Sequence, residues 1–61
     1  MAAPLMPGVR AVSRDDGWAG VIDGLLYDDT GRLSAVVVHR DDGTWLNVPV
    51  PETEFETEWL H

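Results

Sequence analysis

The stretch DDGWAGVIDGLLYDDTGRLSAVVVHRDDG, residues 15–43, decides the fold. Three turn signatures punctuate it: Asp15-Asp16-Gly17, Asp28-Asp29-Thr30-Gly31 and Asp41-Asp42-Gly43, beginning at residues 15, 28 and 41 and so 13 apart each time. Aspartate hydrogen-bonds its own backbone, and glycine accepts the positive φ of tight connections, so each signature reads as a chain reversal. The segments between them are rich in Val, Ile, Leu and Trp and have the length of strands. The spacing predicts strands over residues 9–13, 18–27, 32–40 and 44–50. Short connections make successive strands antiparallel. The expected class is all-β: a small antiparallel meander of four or five strands that closes into a barrel and so hides its edges. Around that barrel domain, residues 9–50, lie an N-terminal arm, 1–8, and a C-terminal tail, 51–61.

Side-chain alternation assigns faces. Trp18, Gly20, Ile22, Gly24 and Leu26 on the second strand, Leu33, Ala35 and Val37 on the third, and Thr44, Leu46, Val48 and Val50 on the fourth form the expected interior. The two glycines permit a bend, or the close approach of a neighbouring backbone. The opposite face carries Val21, Leu25, Tyr27, Val36, Val38 and Trp45, where a one-sided sheet would be polar. A chain of 61 residues cannot bury both faces. Three readings account for the second apolar face. It contacts a partner, or a bulge near Gly24 shifts the register, or the C-terminal segment folds back as a cover.

Beyond Pro49 and Pro51 the chain carries Glu52, Glu54, Glu56 and Glu58 interleaved with Phe55 and Trp59. As a short helix, Pro51 suits the first position and the early glutamates suit the dipole, with Phe55 and Trp59 on one face. As an extended strand, the glutamates point one way and the two aromatics the other. Either form offers an apolar face backed by negative charge, able to dock in a groove or on a sheet edge. Phe55, close to the fourth strand, is expected to close the protein's own barrel, and Trp59 to meet a partner. Tyr27, Val36, Val38, Trp45, Phe55 and Trp59 are thus the candidate protein-binding residues. Removal of residues 51–61 is expected to weaken association and leave the barrel folded.

Composition narrows the function classes. Eleven acidic residues face four arginines, with no lysine, for a net charge of −7. Such a chain repels phosphates, which disfavours direct nucleic-acid binding and anionic membranes alike. Basic partners are favoured and their encounter can be steered, although the same charge also serves solubility. No cysteine is present, so no disulfide staples the small core, and two histidines without a thiolate argue against structural zinc. A chain so stabilised gains most from oligomerisation or from docking on a larger assembly. No apolar run reaches the ~20 residues of a membrane span, and Met1 to Gly8, broken by Pro4 and Pro7, lacks the pattern of a signal peptide. A cytoplasmic or virion-associated location is expected.

Catalytic chemistry finds no constellation. Ser13 and Ser34 lie on separate strands, and His39, flanked by Arg40 and Asp41, reads as a strand-end residue with neighbours pointing to opposite faces. The Asp pairs do not follow the alternate spacing of a calcium loop, and no phosphate-cradling glycine loop is present. No catalytic residue, metal ligand or cofactor is assigned, and no enzyme is expected.

Val9-Arg10-Ala11-Val12, Gly17-Trp18-Ala19-Gly20-Val21-Ile22, Gly31, Ala35-Val36-Val37-Val38, Asp42-Gly43 and Val48-Pro49-Val50 follow one another in an order that resembles small Src-homology-3-like barrels. Gly20-Val21-Ile22, Gly31-Arg32-Leu33 and Val48-Pro49-Val50 also resemble the PRC-barrel pattern, whose members act mainly as assembly or docking modules. The layout is similar as well to the plasmid-borne type of dihydrofolate reductase. That family's Val-Gln-Ile-Tyr pore stretch falls on Trp45, Leu46, Asn47 and Val48, where the glutamine and tyrosine are missing, so no activity carries across. The expectation is a non-enzymatic assembly module that oligomerises or docks on a larger complex, as an accessory subunit or a virion decoration protein. Its partner would be another protein or a second copy, not nucleic acid or membrane. The alternative is an acidic inhibitor that mimics nucleic acid in a basic groove.

Overall fold

In the computed structural model, residues 3–60 are described; Met1, Ala2 and His61, the extreme ends of the expected arm and tail, lie outside them. The chain forms β1 (Arg10–Ser13), β2 (Trp18–Tyr27), β3 (Leu33–Arg40), β4 (Trp45–Pro49), a 3-10 turn (Val50–Glu52) and β5 (Glu56–Glu58). All strands are antiparallel in one sheet of order β4-β3-β2-β1-β5. The first four follow the meander expected from the turn signatures, and the fifth adds beside β1.

The second and third signatures act through glycine and aspartate, whereas in the first the amides of Gly17 and Asp16 donate to the carbonyl and hydroxyl of Ser13. Gly31 and Gly43 take φ of 84° and 89° and donate backbone hydrogen bonds to Asp28 and Arg40 three residues earlier. The Asp28 carboxylate accepts from the Thr30 hydroxyl and from the amides of Thr30 and Arg32. Asp42 accepts likewise from the amide and hydroxyl of Thr44. These bonds span only two to four residues and define the two reversals locally.

The sheet curls but does not close. Five flat strands would set the two edges about 19 Å apart, yet residues 50–55 carry the chain from β4 at one edge to β5 at the other. Phe55 on this connection packs against Trp18, ring centroids 5.7 Å apart. β4 and β5 nevertheless make no ladder, so the expected closed barrel is corrected to an open, curled sheet. The reason lies in what holds the far side of β5. The Ala3 amide donates to Thr57 O at 3.3 Å, and the Thr57 hydroxyl donates to Ala3 O at 2.6 Å. The arm occupies the place a closing strand would need.

The concave face buries Val9, Ala11, Ile22, Val36, Val38 and Val48, joined by Ala3, with Leu5, Trp18, Leu25, Leu33, Leu46, Val50 and Phe55 packed around them. Face assignment on β4 agrees with the sequence reading, but on β3 it is inverted. Val36 and Val38 are fully buried, because they pair directly with Val48 and Leu46 and cross-strand partners share a face. On β2 the register shifts between Ile22 and Gly24. Asp23 is the extra residue of a bulge, and it turns Leu25 inward and Leu26 outward. The register shift expected near Gly24 is therefore present, and it accounts for Leu25; Val36 and Val38 are buried by the β3–β4 pairing, and Trp45 stays exposed. A second shift, between Leu26 and Tyr27, brings Tyr27 opposite Leu33.

The tail is extended after its single 3-10 turn. Pairing with β1 places Glu58 opposite Arg10 and Glu56 opposite Val12. Glu56 meets the Arg14 guanidinium at 3.4 Å and Glu58 that of Arg10 at 3.9 Å. A helix would forfeit both the ladder and these charge pairs. Residues 51–61 are thus partly built into the sheet rather than appended to it.

Candidate docking surface

Of the six residues proposed for protein contact, Val36 and Val38 are removed from the surface by the β3 inversion. Phe55 is half-buried against Trp18. Tyr27, Trp45 and Trp59 are exposed. They do not form one cluster by pairing: Tyr27 ends β2, Trp45 begins β4, and Trp59 follows β5.

Trp45 has the best-defined surroundings. Its indole, 55% exposed, stacks on the ring of His39 with centroids 4.4 Å apart and planes 16° apart. The two are cross-strand partners, so the ladder itself holds the stack on the convex face. His39, expected to be an uninvolved strand-end residue, thus positions the largest exposed side chain of the hairpin. Further along this face lie Val37 opposite Asn47, and Leu26 opposite Ala35, which pairs with Pro49. Leu26, Ala35, Val37 and Pro49 were missed as surface residues. For Leu26 the signal is Asp23, a lone charge followed by glycine in an otherwise apolar strand; for Ala35, Val37 and Pro49 it is the register of the β3–β4 hairpin.

A charge clamp crosses the same convex side. Arg10 donates to both carboxylate oxygens of Asp41, at 3.1 and 2.9 Å, tying β1 to the β3–β4 turn. This fork holds the Asp41 carboxyl below its ordinary range and raises the Arg10 guanidinium further. The buried Ser13 is satisfied: its hydroxyl donates to Glu54 O and accepts from the Asp16 amide. These bonds tie the end of β1 to its turn and to the connection that leads into β5.

Where the curled sheet stays open, a slot of about 560 Å³ runs along β4. Leu46, Val48 and Trp18 supply apolar lining, Thr53 and Asn47 polar lining, and Asp16, Asp41, Asp42 and Arg40 charged lining. Among the described residues no group of His, Cys, Asp or Glu could hold a metal ion, and no helix is long and apolar enough to cross a membrane. No protein-family model, curated protein or solved structure matches the chain.

Proposed function

We propose that this chain is a non-enzymatic interaction and assembly module, a small acidic sheet that oligomerises or docks on a larger complex. The observation that carries the reading is the His39–Trp45 stack. An indole left 55% exposed retains a large apolar area to bury. Held by its stacking partner, it has less side-chain freedom to lose on binding. Tryptophan is also among the residues that dominate binding energy at interfaces. Leu26, Val37 and Pro49 extend the apolar area around it, and the PRC-barrel-like resemblance points the same way. An accessory subunit in the cytoplasm and a virion decoration protein both fit the reading. Nucleic-acid mimicry is the weaker alternative, since Asp41, Glu56 and Glu58 lie within ion-pair distance of Arg10 or Arg14 and are less free to imitate a row of phosphates.

Light scattering coupled to size-exclusion chromatography, at low and high salt and alone or with a candidate partner, tests the reading. Association should tolerate salt, and Trp45→Ala should weaken it about tenfold or more while costing about 1 kcal/mol of stability through loss of the His39 stack, with the cooperative fold retained. Association that survives Trp45→Ala unchanged, or that collapses with salt and is competed by DNA, contradicts it.

A further inference from the structure

The sheet has two edges, and they are treated differently. β5 carries Glu56 and Glu58 and is covered by Ala3, whose backbone bonds to Thr57. Charge and a covering segment are the usual protections of an edge strand. β4, Trp45-Leu46-Asn47-Val48-Pro49, carries no charged side chain, and among the described residues no strand pairs with its outer side.

The phase of the β3–β4 ladder fixes which groups face outward. Arg40 N donates to Thr44 O, which makes Arg40 and Thr44 a hydrogen-bonded pair. Alternation then makes Val38–Leu46 and Val36–Val48 bonded pairs and leaves Trp45, Asn47 and Pro49 in the non-bonded positions. The amides of Trp45 and Asn47 and the carbonyls of Trp45, Asn47 and Pro49 therefore point to the free edge. Pro49 sits where the β3 ladder needs no donor. The slot lies beside this edge, so alternate side chains of an added strand have a place to enter. Asp16 and Asp42 line it, together with Arg40 and with Asp41, whose carboxylate is held by Arg10.

We propose that the free edge of β4 accepts an extended, positively charged segment of a partner protein as an added strand, with a basic side chain reaching Asp16 and Asp42. The inference rests on the interaction-module reading and supplies its site and the chemistry of its partner. A second copy is the poorer occupant: each chain carries −7, and like charges oppose pairing. A basic strand is attracted by the same field.

The test uses the full chain labelled with ¹⁵N and a capped peptide alternating lysine and valine, with a glutamate-for-lysine peptide as control. Binding of the lysine peptide should slow exchange and shift resonances at the Trp45 and Asn47 amides. The glutamate peptide should do neither. Asn47→Pro removes an outward donor without touching the β3 ladder and should weaken binding about tenfold. Asp16→Asn alters no side-chain hydrogen bond among the described residues and should weaken it about threefold at low salt and not at high salt. Absence of binding, equal binding of the glutamate peptide, or shifts confined to Leu26 and Tyr27 overturn the proposal. So does protection of the β4 edge by a second copy before peptide is added. The module reading is judged separately, by whether Trp45→Ala alters association.

Discussion

At Gly20, β2 approaches β3 so closely that an added Cβ would lie 2.7 Å from the Cα of Arg40 and against the His39 backbone. Backbone cannot step aside as a side-chain tip can. Gly20→Ala should therefore cost about 1–3 kcal/mol in urea unfolding. Gly24→Ala, whose Cβ would meet only Val37 side-chain carbons at 3.9 Å or more, should change stability by less than about 0.5 kcal/mol. The strand carries both glycines for different reasons, and only the structure separates them. The turn aspartates give a second prediction at this scale. Hydrogen bonds from Thr30 and Arg32 hold the Asp28 carboxyl below its ordinary range, and those from Thr44 do the same for Asp42. A carboxyl with a depressed folded-state pKa adds stability above its unfolded value, and that contribution disappears as pH falls through the folded value. Asp28→Asn and Asp42→Asn should each flatten the fall of melting temperature as pH drops below about 4, while retaining an acceptor for the turn. An unaltered acid limb would mean that these bonds do not outlast the free chain.

Among the elements, the strands were legible because turn chemistry is local: the aspartates and glycines that bound them act over three or four residues. The face of β3 was not legible from that strand alone. Ala35-Val36-Val37-Val38 has no polar alternation, so either parity satisfies it. Pairing with Leu46 and Val48 decides the matter, and the hairpin register fixed by Gly43 supplies the pairing. On β2 the bulge at Asp23 breaks a count that had been carried straight through. β5 was harder still, because its strand form depends on Arg10 and Arg14, more than 40 residues away in sequence. This strand also changes what truncation should do. The expectation that the barrel survives loss of residues 51–61 does not follow once Phe55 packs on Trp18 and Glu56–Glu58 pairs with β1. Deleting residues 51–61 should abolish the cooperative unfolding transition, whereas Trp59→Ala should leave it nearly intact. A truncated chain that still melts cooperatively would show β5 to be dispensable.

For the whole molecule, the small core, the acidic surface and the open sheet belong together. A chain of 61 residues has little apolar surface to spend on a second layer, and its core fills one concave face. Closure would need a pairing that Ala3 and the short β5 do not leave available. What remains is an uncharged edge beside a stacked tryptophan, on a molecule with net charge −7. The sequence announced an apolar, aromatic surface and named Trp45, but placed Val36 and Val38 there by a parity error. The bare edge was hidden because edge status is a property of the assembled sheet. Amide hydrogen exchange along β4 in the free monomer tests this arrangement most directly. Leu46 and Val48 should be protected by β3 while Trp45 and Asn47 exchange fast; protection of all four amides would mean that the edge is already covered, and would contradict a site held open for a partner strand.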